Sequence, residues 1–334
     1  MEKILTISIA AYNAADDITR CLDSMIFTEV AEKLDIIVVN DGSVDNTAEI
    51  VEEYVEKYPG IIRLVNKKNG GHGSTINKSI EIAVGKYYKI VDSDDWVSKE
   101  GIEKLVRCLE SESVDLVLNS YSIVNANSGV QEALVRPYGI GQIFGISLPI
   151  NKAENLNIYM HSVTVKTDLV KKMGPIIDEN CFYVDMEYTI FPMQYVRNYM
   201  CFDFSVYEYL MGTDGQSMNK RNLVLRREQH LKVVKRIVTF YKENRLEDTV
   251  RKLVLHRIRL AVLNQYKIYF YVDIKEALEE IKGFDKWLKM QDHDIYRGTV
   301  GRYMKLIGFH RCTGFKFYKI IVSCMKRVNM EIEL

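Results

Sequence analysis

The sequence predicts an α/β protein whose mainly parallel sheet is flanked by helices and followed by a helical C-terminal region. Three observations predict it. Up to about residue 119, β-branched and aromatic runs alternate with helical patterns of roughly 10 to 15 residues, the signature of βαβ units. From about residue 222 onward the pattern is helical throughout. Charge divides at the same place: residues 1–215 hold 19 Lys and Arg against 32 Asp and Glu, and residues 216–334 hold 26 against 13. The chain as a whole is neutral, with 45 of each sign. The expected division is therefore a sheet-bearing domain over 1–217 and a basic, mainly helical region over 218–334.

Strands are expected at 4–10, 35–40, 61–66, 87–92 and 114–119. The helices between them are expected at 14–27, 45–57, 74–84 and 98–110. Residues 120–150 lack periodicity and bring Gly139, Gly141 and Gly145 close together, so they read as a long excursion with short strands. Further on, 158–166 and 199–211 read as extended and 184–197 as a helix. Helices follow at 222–243, 246–271 and 273–283. The last segment, 313–328, interleaves Phe315, Phe317, Ile320, Ile321 and Val322 with Lys316, Lys319, Lys326 and Arg327. It is either a buried face with a basic edge or an amphipathic helix lying on a membrane surface.

At 334 residues, 47% hydrophobic and with five prolines, this is the composition of an ordinary folded protein. Its six cysteines are scattered, with no zinc or redox spacing, which fits a reducing compartment. The first strand begins almost at once, so no signal peptide is expected, and no apolar run is long enough to span a bilayer. A cytoplasmic protein, possibly peripheral at the inner face of the membrane, is the expectation. No nucleic-acid partner is expected.

Ligands of parallel sheets bind beyond the carboxyl ends of the strands. Four segments fall there: Ala11-Tyr12-Asn13, Asn40-Asp41-Gly42-Ser43, Asn69-Gly70-Gly71-His72-Gly73, and Asp92-Ser93-Asp94-Asp95. The last places three carboxylates in four positions, which is costly unless a cation neutralises them. Hard oxygen ligands suit Mg²⁺ or Mn²⁺, ions that commonly carry substrate phosphates. The alternative is an acidic turn leading into the helix near Ser98. Ser43 and Asp45 are suited to capping the next helix. Asp41, before a turn glycine, is suited to accept from a base imide or a ribose hydroxyl. The glycine segment lets backbone approach a ligand just before a helix N-terminus, although it is neither a P-loop nor a dinucleotide fingerprint. His72 reads as a loop histidine. Asn77, on the first turns of that helix, either fixes the loop or contacts substrate.

In this order and at these spacings, the four segments resemble family-2-type glycosyltransferases of the GT-A fold. Two departures are visible: Ala11 stands for the customary Pro and Asn40 for the first Asp of the second motif. The resemblance implies an inverting transfer of a sugar from a nucleotide-diphospho-sugar, a UDP-sugar above all, to the hydroxyl of a saccharide or lipid-linked acceptor. It implies that Ala11, Tyr12, Asn13 and Asp41 hold the base, with Gly71, Asn77, Asp92 and Ser93 completing the donor site. Asp94 would be the principal ligand of Mn²⁺ or Mg²⁺, Asp92 would meet ribose or metal, and Asp95 would shape the site. The general base would be Asp185, with Glu187 in reserve, although Val184 stands where such enzymes often carry Glu. Gln216 and Ser217 would belong to a loop closing on the phosphates, where Thr213 replaces a frequent Arg and Arg221 can substitute. Neither membrane spans nor a Gln-x-x-Arg-Trp motif is present, so processive synthesis is not expected. Two other readings stay open: a sugar nucleotidyltransferase, which lacks support because Ala10 to Ala15 holds no glycine, and a non-catalytic nucleotide-sugar-binding or scaffold protein.

Overall fold

The structure is a computed structural model that describes residues 2–139, 142–153, 156–174, 176–213, 219–298, 302–320 and 322. Gln216, Ser217 and the end of the 313–328 segment lie outside the described residues. The chain divides into two compact units, Met1–Thr213 with Glu247–Val250, and Asp214–Leu246 with Arg251–Leu334.

In the first unit the elements are β1 (Leu5–Ala11), α1 (Ile18–Ile26), β2 (Leu34–Asn40), α2 (Thr47–Lys57), β3 (Ile62–Asn66), α3 (His72–Ile82), β4 (Tyr87–Asp92), β5 (Trp96–Val97) and α4 (Lys99–Ser111). They continue with β6 (Leu116–Asn125), β7 (Gln131–Val135), β8 (Leu148–Pro149), β9 (Val163–Lys166), α5 (Thr167–Met173), α6 (Asp185–Ile190) and β10 (Asn198–Met211). The sheet order is β3-β2-β1-β4-β9-β6-β10-β5, with β7 paired to β6 and β8 to β10. Its longest pairings, β1 with β2 and β4, and β6 with β10, are parallel. The strand β9 runs antiparallel between β4 and β6 and joins the two parallel halves. The strand β2 is buried along its whole length because helices cover both faces, so its sequence reads as an apolar run rather than an alternation. Ile18, Cys21, Leu22, Met25 and Ile26 of α1 are buried at helical spacing. Ser98 caps α4 by accepting from the Gly101 N–H at 3.3 Å.

Chain order reverses around β1, which lies between β2 and β4, so the crevice at the carboxyl ends of these strands is the ligand position of such sheets. Two expected elements differ. The stretch 158–166 is extended only from Val163, because Met160–Ser162 forms a 3-10 turn. The helix expected at 184–197 is α-helical only to Ile190 and continues as a 3-10 turn over Phe191–Tyr195, where Pro192 lacks the N–H that would extend the ladder.

The second unit is helical: α7 (Lys220–Leu225), α8 (Arg227–Glu243), α9 (Asp248–Tyr269), α10 (Ile274–Gln291), α11 (His293–Arg297) and α12 (Arg302–Cys312). Val233, Val234, Ile237, Val238 and Tyr241 of α8 are buried, as are Val254, Ile258, Val262 and Tyr266 of α9 and Ile281, Phe284 and Leu288 of α10. Arg227 forks onto Glu280, with its Nε 3.1 and 3.0 Å from the two carboxylate oxygens. The helix α10 runs past 283, because an added side chain at Gly283 would meet nothing and the residue is a propensity cost rather than a stop. No helix among the described residues is long and apolar enough to cross a membrane.

Candidate active site

The first two rim segments are tied to each other. Asn13, held at φ +50, donates its N–H to Ser43 Oγ at 2.9 Å and accepts the Val44 N–H at Oδ1, also at 2.9 Å. Asparagine tolerates this left-handed conformation better than other L residues. Ala11 is buried and Tyr12 beside it is 54% exposed. Asp45 receives the Thr47 N–H at the start of α2, as expected, whereas Ser43 serves the first segment instead of capping. Asn40, in place of the customary Asp, accepts the Ser43 N–H and donates to Asn66 Oδ1, so it shapes the turn.

Asp41 is buried and organises the glycine segment. Its Oδ1 accepts from Lys67 Nζ at 2.7 Å and from the Gly70 N–H at 2.9 Å, and its Oδ2 accepts from the Gly71 N–H at 2.7 Å. A carboxylate oxygen carries two acceptor positions, so Oδ2 retains one.

The glycine segment in turn holds the chain that leads to Asp185. Gly70 O accepts the Asn180 N–H at 2.5 Å. A side chain at Gly73 would meet Asp178 O at 1.9 Å. Asn77 is buried, and its amide clamps this chain: Nδ2 donates to Ile177 O at 2.9 Å and Oδ1 accepts the Ile177 N–H at 3.1 Å. Asn77, expected either to fix the glycine loop or to contact substrate, thus engages both amide atoms with the 177–180 chain. Glu187, the reserve base, is fully buried and accepts the Asp178 N–H at 2.8 Å, which assigns it to the same loop. Asp185 opens α6.

The carboxylates follow β4. Burial, with help from Asp94, pushes the Asp92 carboxyl up to about 7, and burial also raises Asp94. Asp95 is raised well above the usual range by burial and by its two neighbours. Its Oδ2 accepts from Tyr207 Oη at 2.5 Å and its Oδ1 from the Leu210 N–H at 2.7 Å, a support role in line with expectation. Ser93 is partly exposed in the turn. Arg20 donates to the backbone oxygen of Asp94 at 2.7 Å while its guanidinium lies over Trp96.

Ligand atoms of Asp92, Asp95 and His161 all lie within 4.8 Å of one another. The carboxylate of Asp94, expected as the principal ligand, is not one of these three. His161 is a residue that motif reasoning missed; it stacks on Tyr209 at 4.4 Å and edge-on against Tyr207 at 4.8 Å. His72 Nε2 is 3.6 Å from Asp92 Oδ1, and burial lowers its pKa against the pull of Asp185, Asp94 and Asp41. Burial and the charges of Asp95, Asp92, Asp94 and Asp185 all raise the Tyr209 hydroxyl.

An acidic cluster beyond the switch point of a mixed sheet, fed by four rim segments, defines the GT-A class of nucleotide-sugar-binding fold. Over residues 6–162, just under half of its length, the chain matches the family model "Glycosyl transferase family 2". It is 40% identical over 112 residues to the uncharacterized glycosyltransferase YibD of Escherichia coli K12, a match covering 34% of this chain and 32% of that protein. The chain thus spans about a third of the length of that relative. Among solved structures, TarS 1–349 of S. aureus in complex with UDP-GlcNAc superposes with a TM-score of 0.70 at 18% identity, covering 99% of this chain and 93% of that one. The mannosyltransferase PcManGT of Pyrobaculum calidifontis, in complex with GDP-Man and Mn²⁺, gives a TM-score of 0.55 at 13% identity over 99% and 89% of the two chains. At these identities the two structures establish the fold.

Proposed function

We propose that the chain is an inverting glycosyltransferase that moves a sugar from a nucleotide-diphospho-sugar, of the UDP class, to an acceptor hydroxyl. The observation that carries this reading is the cluster beyond the carboxyl end of β4, where ligand atoms of Asp92, Asp95 and His161 lie within 4.8 Å of one another and His72 Nε2 is 3.6 Å from Asp92 Oδ1.

In this reading Tyr12, Asn13 and the remaining lone pair of Asp41 Oδ2 receive the base. Gly71 and the N-terminus of α3 face the diphosphate, where backbone N–H groups favour an anion. Asp92 and His161 fit a divalent cation: they offer hard oxygen and imidazole donors, and burial, then the charge of Asp94, raises the Asp92 carboxyl. Asp94 closes the site from beside them. Mn²⁺ or Mg²⁺ held there would supply charge neutralisation to the diphosphate leaving group. Asp185 takes the proton of the acceptor hydroxyl as its oxygen bonds to the anomeric carbon. The bond from that carbon to the phosphate oxygen breaks, and its electron pair leaves with the nucleoside diphosphate. One displacement inverts the configuration.

The acceptor is a saccharide or a lipid-linked sugar. Exposed Phe309, Phe317 and Ile320 beside Lys316 and Lys319 support peripheral contact of the second unit with an anionic bilayer. Flotation with vesicles containing anionic lipid should carry the protein upward; an equal result with neutral vesicles removes this reading.

A panel of nucleotide-sugars with and without Mn²⁺, followed by thermal shift and donor turnover, tests the whole proposal. A metal-dependent shift with a UDP-sugar, together with its consumption, is expected. Binding without any turnover would favour a scaffold, and no shift with any member of the panel overturns the proposal.

A further inference from the structure

Lys89 lies in the middle of β4 and is fully buried. A buried ammonium costs several kcal/mol unless it is well partnered. Its partners are carbonyls: Nζ donates to His161 O at 2.8 Å and to Val163 O at 3.2 Å. Nζ also lies 5.7 Å from the centroid of the Tyr207 ring, within cation–π range. Both contacts lead to the acidic cluster. The ring of His161 is a member of it. The hydroxyl of Tyr207 donates to Asp95 and accepts the Asp92 N–H at 3.1 Å.

A second observation surrounds this lysine with polar groups. Asn119, Ser162 and Thr164 are buried. Both amide atoms of Asn119, Ser162 Oγ and Thr164 Oγ1 find no hydrogen-bond partner among the described residues. Register places Thr164 and Asn119 on the face that Lys89 occupies, and Ser162 lies between the two residues whose carbonyls Lys89 binds. Tyr88 pairs with Val165, so Lys89 comes level with Thr164. Thr164 pairs with Val117, and Asn119 and Ser162 flank the next pair, Leu118 with Val163. Cross-strand partners point to the same side of a sheet. Buried polar groups in native proteins are satisfied, and where protein atoms do not serve, ordered water does.

We propose that Lys89 is a positioning residue whose ammonium, hydrated by water held among Asn119, Ser162 and Thr164, fixes the His161 turn and the Tyr207 ring against Asp92 and Asp95. This rests on reading that cluster as a divalent-cation site. The side chain touches neither donor nor acceptor. It acts as outer-shell partners of metal ligands act, by fixing orientation.

The test is Mn²⁺ binding to the full chain without nucleotide, followed by the paramagnetic resonance signal of free Mn²⁺, with thermal midpoints measured in parallel. Lys89→Met should weaken Mn²⁺ binding by about 10- to 100-fold. Its midpoint should stay close to the parent's, because the donor lost to the His161 and Val163 carbonyls and the relief of burying an ammonium act in opposite directions. Lys89→Gln, which keeps a donor for one carbonyl, should fall between Lys89→Met and the parent. Unchanged Mn²⁺ affinity in Lys89→Met overturns the proposal, as does a loss that only tracks a falling midpoint. If Lys89→Met does not fold, unchanged affinity in Lys89→Gln overturns it equally. A parent chain that binds no Mn²⁺ instead removes the cation-site reading and this inference with it. In a crystal structure fine enough to show bound water, density should contact Ser162 Oγ and Thr164 Oγ1; a dry site there overturns the hydration.

Discussion

The half of the sheet built from β3, β2, β1 and β4 and the half built from β9, β6 and β10 hold their functional residues in different ways. In the first half, neighbouring rim segments bond directly to each other, as Asn13 does to Ser43 and Asp41 to Gly70 and Gly71. Each strand carries its own segment to the crevice. In the second half, His161 and Asp185 arrive on long connections and depend on clamps reaching back: Lys89 to the His161 turn, Asn77 to Ile177, Gly70 to Asn180. The first half of the rim is thus built from contiguous motifs, and the second half is only as ordered as its anchorage on the first.

Removing chemical groups tests the two halves with the largest effects. Asp185→Asn should lower kcat by roughly 10² to 10⁴ while donor affinity stays near the parent value, because a positioned base acts on the transition state. A loss of donor affinity instead would move Asp185 to the donor side. Asp94→Ala should abolish both turnover and Mn²⁺-dependent nucleotide binding; an active enzyme would leave the Asp92, Asp95 and His161 cluster to act without it.

Breaking the anchorage comes next. Gly73→Ala should destabilise the protein by about 3 kcal/mol or more in chemical denaturation, since its methyl would overlap backbone that cannot move away cheaply. Asn77→Ala leaves the Ile177 N–H and carbonyl without their partner and should cost about 1–3 kcal/mol. If the clamp serves the acceptor side, kcat in Asn77→Ala falls while donor KM holds. A rise in donor KM alone would instead restore Asn77 to donor binding.

The smallest effect is a pH dependence. Burial, and then the charge of Asp94, pushes the Asp92 carboxyl from its ordinary 3.8 up to about 7 in the fold. Between those values the folded protein binds more protons than the unfolded chain. This group's contribution to stability is therefore complete below the unfolded value and is lost as pH rises through about 7. Mn²⁺ competes with those protons, so its thermal shift should be larger at pH 8 than at pH 5. A shift independent of pH would place the cation away from Asp92.

The first half of the sheet was readable because its signals are local. Ile4 to Ile9, Ile36 to Val39 and Tyr87 to Val91 are apolar runs that end in polar turns, and each turn lands where a parallel sheet exposes it. The second half was read less well. Met160-His161-Ser162 has no periodicity or spacing to mark it, and its position follows from β9 running antiparallel between β4 and β6. The available clue was Lys89, a lone charge inside an otherwise apolar strand. Asn77 stood in the expected place, but only tertiary structure shows what its amide binds. In the helical unit, α10 was expected to end at 283 and runs on to Gln291.

The packing of Gly73 against Asp178 bears on how selection on this chain would look. In a library of single substitutions scored by growth or turnover, position 73 should accept glycine alone and rank with Asp94 and Asp185 in intolerance. Yet no reacting atom need ever touch it. A map of intolerant positions would therefore trace two overlapping outlines, one of chemistry and one of clearance. Only a measurement of folding, made apart from turnover, separates them.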